Sequence, residues 1–192
     1  MESSDWIEIP GGTRVSVLAP EPDSFTLEGI AYGLAGQHRF SGRTYPRMTV
    51  AEHCVQAASY LYRHEASLRL CLLGLLHDAP EGCGLCDLPT PIKRHLPRYC
   101  EIEAAWYKAI LRDMRIEPPT EDEQRQIKGA DAVMLLSESA RFGLAYRDYE
   151  LYARGYRPDV LTQCSIRCLS PADAEKAFVQ AYHNYRMYTT RS

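Results

Sequence analysis

The residues best able to do chemistry sit at the ends and on the faces of apolar segments. Leu70-Cys-Leu-Leu-Gly-Leu-Leu76 is apolar on every side, so as a helix it has to be buried, and it runs directly into His77-Asp78. An ionisable pair at the end of a buried helix needs a partner, because an uncompensated buried charge is costly. A single metal ion satisfies both residues. Asp131 repeats the pattern independently: its helical neighbours Ile127, Ala130, Met134 and Leu135 put the carboxylate on an apolar face. His53 falls in the first turn after Thr49, alongside Val50 and Ala57. Imidazole and carboxylate donors together suit Zn, Mn, Fe, Co or Ni better than Ca or Mg alone. Each residue also has an ordinary reading: a hydrogen-bonded core histidine, an aspartate paired with a buried arginine, a chance His-Asp dipeptide. Periodicity alone leaves both readings open.

Other groups invite similar scrutiny. Arg39 and Phe40 lie in the polar stretch Gln37-His-Arg-Phe-Ser-Gly-Arg43. An arginine there can hold phosphate bidentately, and Phe40 can stack on a base, pack under a sugar, or simply anchor the loop. Lys93 closes a Pro-Thr-Pro turn that starts after Asp87-Leu88, placed as a point charge for phosphate or as a surface lysine. Cys83 and Cys86 form a CxxC, and Cys164 and Cys168 a CxxxC, which admits a structural zinc site or a thiol pair as an alternative. Cys54 and Cys71 fall in apolar-periodic segments and read as core. An odd total of seven cysteines at irregular spacing fits a reducing cytoplasm.

The elements that must position these groups announce themselves by their starts. Thr49-Val-Ala-Glu52 and Thr120-Glu-Asp-Glu123 are capping boxes, predicting helices to about His64 and about Phe142, the second stopped by Gly143. Ser67 caps a helix from Leu68 to about Ala79, and Ser170-Pro171 opens one to about Tyr188. Further helical pattern begins at Thr26 and covers Tyr99 to Arg115. Trp6 to Leu18 reads as a small hairpin around Pro10-Gly-Gly-Thr13. Residues 145–168 are irregular and are expected to form a surface loop or lid. The 192 residues suit one domain spanning 1–192, with 45% hydrophobic and 24% charged residues. A net charge of −3 argues against a protein that coats nucleic acid or anionic lipid. No apolar run is long enough for a membrane span, and the first residues lack the pattern of a secretory signal.

The string His77-Asp-Ala-Pro-Glu81, followed by Asp87-Leu-Pro-Thr-Pro-Ile-Lys93, resembles the motifs of the HD-domain metal-dependent phosphohydrolases. Within them it is most similar to the bacterial 5′-deoxynucleotidases and the phage dATP triphosphohydrolases. Arg39-Phe40, Val50-Ala-Glu-His53 and Lys128-Gly-Ala-Asp131 extend the resemblance, in the right order, over roughly residues 24 to 142. It implies an all-α HD-domain helical bundle, with at most the small N-terminal hairpin. It implies a divalent ion on His53, His77, Asp78 and Asp131, a catalytic Glu81 one helical turn beyond His77, and a second acting carboxylate at Asp87. Arg39, Phe40 and Lys93 become the expected substrate-binding residues. One departure stands out: Gly82-Cys-Gly-Leu-Cys86 is a residue longer than the family pattern, with Cys86 where glycine is usual. That loosens the equivalence of Asp87.

The expected function is metal-dependent hydrolysis of a deoxynucleotide, with dATP as the preferred triphosphate and deoxynucleoside plus intact triphosphate as products. The alternatives are a 5′-deoxynucleotidase acting on dNMP, and a nucleotide-binding HD protein without catalysis. Zn, Co or Mn leads for the metal, with Mg as an additional ion. A homo-oligomer is expected, because family members are dimers or larger rings, with the cytoplasm as its compartment (the host's, for a phage-encoded chain).

Overall fold

A computed structural model describes residues 5–189. Strands β1 (Trp6–Ile9) and β2 (Thr13–Ser16) pair antiparallel, with Ile9 opposite Thr13 and Trp6 opposite Ser16. The three-residue connection works because Gly11 and Gly12 both take positive φ, at 100° and 79°. Among the described residues, the remaining regular structure is helical apart from a single bridge between His38 and Thr49. The helices are α1 (Leu27–Gly36), α2 (Val50–Arg63), α3 (Leu68–Leu75), α4 (Ala79–Gly82), α5 (Thr90–Lys93), α6 (Pro97–Asp113), α7 (Glu121–Arg141), α8 (Glu150–Ala153), α9 (Val160–Ser165) and α10 (Pro171–Thr189). Single 3₁₀ turns occupy Arg39–Gly42 and Tyr146–Asp148. Among the described residues no helix is long and apolar enough to cross a membrane.

The expected caps form. Thr26, Thr49, Ser67 and Thr120 each accept a hydrogen bond from the third backbone N–H beyond them, to Gly29, Glu52, Leu70 and Glu123. Ser170 does the same for Asp173 at the start of α10. Only Thr120/Glu123 is a reciprocal capping box, however. The Glu52 carboxylate turns away from its own helix. It accepts from the backbone N–H groups of Arg167 (2.7 Å), Cys168 (3.1 Å) and Leu169 (2.7 Å), tying the α9–α10 connection to the first turn of α2. Three donors from a distant segment outbid the single N–H a box would offer. Glu52→Ala is therefore expected to lower unfolding stability by about 3 kcal/mol, since removing a buried charged acceptor strands its donors. Glu52→Gln, which keeps one carbonyl acceptor, should lose less. Denaturant titration of both variants measures the difference.

α3 lies at the centre, against α2, α10 and α7, which explains why its sequence is apolar all round. Leu72, Leu73, Leu75 and Leu76 are fully buried with Ile30, Leu34, Trp106, Ile110 and Phe178. Gly74 lets α2 approach: a Cβ there would meet Leu61 Cδ1 at 2.4 Å. α1 and α4 touch backbone to backbone, where a Cβ on Gly33 would stand 1.7 Å from the Gly82 carbonyl oxygen.

Two expectations need correction. The helix that opens at Leu68 stops at Leu75 instead of running to Ala79, and Glu81 sits on the separate short turn α4. Pro80 is the reason: it has no N–H to donate, and its ring would collide with the carbonyl four residues earlier, at Leu76. Residues 145–168 are also not a free loop. They hold α8 and α9, with α9 packed on α7 and α2. Asp159 caps α9, and Arg63 Nη2 lies 2.9 Å from its carboxylate, while Thr162 is fully buried. Helices this short have too few turns to display a periodicity.

Candidate metal centre

Two helices and a turn deliver the cluster: α2 supplies His53, the turn between α3 and α4 supplies His77 and Asp78, and α7 supplies Asp131. His53 is fully buried, His77 and Asp78 are partly buried, and the Asp131 side chain remains 45% exposed. His53 Nε2 lies 3.3 Å from His77 Nε2, 3.5 Å from Asp78 Oδ2 and 3.3 Å from Asp131 Oδ1. His77 Nε2 lies 3.3 Å from Asp78 Oδ2 and 3.8 Å from Asp131 Oδ1. Donors held about 2.0–2.2 Å from a tetrahedral ion are roughly 3.3–3.6 Å apart; His53, His77 and Asp131 form a group that could share one ion, and Asp78 lies within 3.5 Å of both histidines.

The ring tautomers point the same way. His53 Nδ1 is 2.5 Å from Glu138 Oε1, and His77 Nδ1 is 2.8 Å from the Gly74 carbonyl oxygen. Each Nδ1 therefore donates its proton outward, leaving two Nε2 lone pairs facing each other across 3.3 Å. That arrangement is repulsive unless a cation joins them. Hydrogen bonding of the remote ring nitrogen to carboxylate and carbonyl is how ligating histidines are normally oriented. Without an ion, protons take its place. Burial and the Arg39 guanidinium oppose a charge on His53, but Glu138 and Asp131 prevail and lift its pKa to about 10. His77 is likewise raised, against burial, by Asp78 and Asp131. The cluster calls for positive charge, and its donors could hold a metal ion.

Around the cluster stand the other sequence-predicted residues. Arg39 is buried, 3.1 Å from Glu138 Oε2 and 3.6 Å from Asp87 Oδ2, so it braces the carboxylate that orients His53. Phe40 packs edge-on to Phe142 with ring centroids 6.2 Å apart. Phe40, Ser41 and Gly42 take φ of 56°, 52° and 69° in succession. Left-handed backbone at a bulky residue is strained, and such strain concentrates at functional sites. Lys93 Nζ is 3.2 Å from Glu81 Oε1 and 2.6 Å from Glu103 Oε1. Glu81 itself is 2% exposed, and its Oε2 is buried with no hydrogen-bond partner among the described residues. Burial first, then Asp78 and Asp87, push its carboxyl up to about 9 against the pull of Lys93 and Arg39. Glu81 is thus a buried acid whose proton, with no ion in the cluster, is held well above the ordinary carboxylate range.

Several participants are not among the residues singled out from sequence. Glu138 is the most important. Against burial, Arg39 and His53 hold it below the usual carboxylate range. Its position seven residues after Asp131, two turns along the same face of α7, was the available signal. Gln37 donates to the Glu81 and Leu85 carbonyls and accepts from the Asp87 N–H, fixing the extended segment after α4. Tyr107, Lys108, Gln124 and Lys128 line a groove of about 340 Å³ that ends on His77 and Asp131. The cysteines form no comparable centre: Cys83, Cys86, Cys164 and Cys168 are free thiols outside every metal-capable group of described residues. Cys54, buried beside His77 and Asp78, is the one thiol within reach of the cluster.

No known protein-family profile matches the chain. It is similar to an uncharacterized protein of Rhodobacter capsulatus, 29% identical over 187 residues that cover 93% of this chain and 94% of that one. It is also similar to the uncharacterized protein YfdR of Escherichia coli, 33% identical over 123 residues, 64% of either chain. Neither name states an activity. Fold and site define a mostly helical protein with a His/Asp cluster suited to a metal ion.

Proposed function

We infer that the chain is a divalent-metal-dependent phosphohydrolase of the HD type, with an HD-domain helical bundle, that converts dATP to deoxyadenosine and triphosphate. The observation that carries this is the His53/His77/Asp131 group, with Asp78 against both histidines and both rings turned Nε2-inward, beside a buried carboxylic acid. Resemblance of the motifs supports the choice of a deoxynucleotide and of adenine. Zn, Co or Mn suits the donors, and Mg is compatible as an additional ion on the polyphosphate. An ion held by His53, His77, Asp78 and Asp131 would supply an acidified water and a counter-charge for phosphoryl oxygen.

The chain's own groups complete the reaction. Water attacks the α-phosphorus and releases a proton to solvent, the bond from phosphorus to the 5′-oxygen breaks, and the 5′-oxygen takes up a proton as deoxynucleoside leaves; solvent then reprotonates the donor. Glu81, whose burial favours the protonated form, is suited to give it. Lys93 and Asp87 frame that acid, and Arg39 steadies Glu138 and so His53. Phe40 offers an apolar face that disfavours an unpaired ribose hydroxyl.

One observation favours a 5′-deoxynucleotidase instead. Arg39 and Lys93, the cations expected to bind phosphates, are already paired with the carboxylates of Glu138, Asp87 and Glu103. Chromatography of products from dATP, dAMP and ATP separates the readings. Triphosphate and deoxyadenosine from dATP are expected, with ATP turned over far more slowly. Orthophosphate from dAMP with dATP untouched would establish the nucleotidase, and equal turnover of ATP would remove the role given to Phe40.

A further inference from the structure

The cations that are free lie elsewhere. The chain has four lysines, and Lys108 and Lys128 both line the groove that ends on His77 and Asp131. Neither has an ion pair or a hydrogen bond among the described residues, whereas Arg39 and Lys93 each contact two carboxylates. In a chain of net charge −3, two unpaired amines facing one groove form a local basic site.

Direction comes from α7. Gln124 and Lys128 precede Asp131 on this helix, while Glu138 and Phe142 follow it. At about 1.5 Å per residue, Lys128 stands roughly 4–5 Å and Gln124 roughly 10 Å along the axis from Asp131. Lys108 faces them from α6. The Phe40–Phe142 ring pair lies toward the other end of the helix. The groove's 340 Å³ is at the small end of ligand sites, room for part of a nucleotide.

We propose that this groove seats the phosphates beyond the one under attack, with Lys108 and Lys128 as their counter-ions, and that the nucleoside extends the opposite way toward Phe40 and Phe142. This rests on the phosphohydrolase reading, since it takes the His/Asp cluster as the place of the reacting phosphoryl group. It makes the two lysines the residues that decide for a polyphosphate over a monophosphate.

The probe is inorganic tripolyphosphate, with orthophosphate as the comparison. Calorimetric titration of the metal-loaded full chain is run in excess Mg²⁺, so that the probe does not strip the bound ion. Lys108→Ala and Lys128→Ala are each expected to weaken tripolyphosphate binding about tenfold or more, the scale of one charge-assisted contact. Orthophosphate affinity should stay within about twofold by the same reasoning, since it needs only the cluster. Lys176→Ala, an exposed lysine on α10, should change neither. In turnover, the groove variants should raise KM for dATP with kcat little altered. An equal loss in Lys176→Ala, or no loss in the groove variants, overturns the proposal. If dAMP is hydrolysed while tripolyphosphate binding ignores both lysines, the groove assignment falls and the hydrolase reading stands. If no phosphate ester is hydrolysed yet binding depends on both lysines, the hydrolase reading falls and the groove remains a polyphosphate site.

Discussion

Asp131→Ala is expected to lose its metal and its turnover together while the fold survives. The Asp131 side chain is 45% exposed and fills no part of the core, so its removal should cost little packing. It contributes one of the two carboxylates in the cluster, and its loss leaves two histidines and Asp78. Elemental analysis of the purified variant should find far below the metal of the parent, and turnover should fall below detection. Glu138→Ala should behave differently. It keeps the four proposed ligands but removes the acceptor for His53 Nδ1, so metal affinity should weaken by roughly 10- to 100-fold. It also strands the buried Arg39, which should cost about 3–5 kcal/mol of stability. In the parent protein, apparent affinity should tighten as pH rises through neutrality. His53 holds a proton up to about 10 without an ion, and the ion has to displace it. Full metal content in Asp131→Ala would exclude it as a ligand.

What the sequence makes legible is what local chemistry dictates. Helix starts depend on a side chain and an N–H three residues away, so Thr49, Ser67, Thr120 and Ser170 can all be read directly. Burial of α3 follows from composition alone, and with it the need of His77 and Asp78 for a partner. Asp131 is legible because its neighbours are apolar at helical spacing. The remainder depends on which segments meet. Glu52 looks like half of a capping box until the 167–169 amides arrive from 115 to 117 residues away. Arg39 looks like a phosphate ligand until Glu138 faces it across 99 residues of sequence. Lys93 likewise finds Glu103. Charges of opposite sign pair wherever the fold brings them together, and no spacing rule announces it. Conversely, Lys128 stands in the same Lys-Gly-Ala-Asp string as Asp131, and only the groove distinguishes it from a surface lysine. The break before α4 was readable, since Pro80 forbids the continuous helix that would carry Glu81 one turn beyond His77.

Glu81→Gln is expected to reduce turnover by about two to four orders of magnitude, the usual effect of losing a general acid. The amide has nearly the same shape and no proton to give, so metal content should be unchanged. Stability distinguishes this role from a structural one. If Glu81 served chiefly as an ionised partner of Lys93, the amide would weaken the protein at neutral and alkaline pH. The buried acid described above behaves in the opposite sense. Its carboxyl holds a proton to about 9 in the folded chain, against an ordinary value of 4.5. As pH rises between those values the unfolded chain releases the proton and the folded chain retains it. The unfolded state then binds fewer protons, and stability falls with rising pH across this window. Glutamine has no proton to retain, so the variant escapes the loss. In chelated protein, where no bound ion pulls the carboxyl down, parent and variant should unfold alike near pH 4.5, with the variant increasingly the more stable toward pH 8 to 9. Denaturant midpoints measured at several pH values give the comparison. A variant less stable than the parent at pH 8 would make the Glu81–Lys93 contact an ordinary ion pair and remove the stored proton on which the acid role depends.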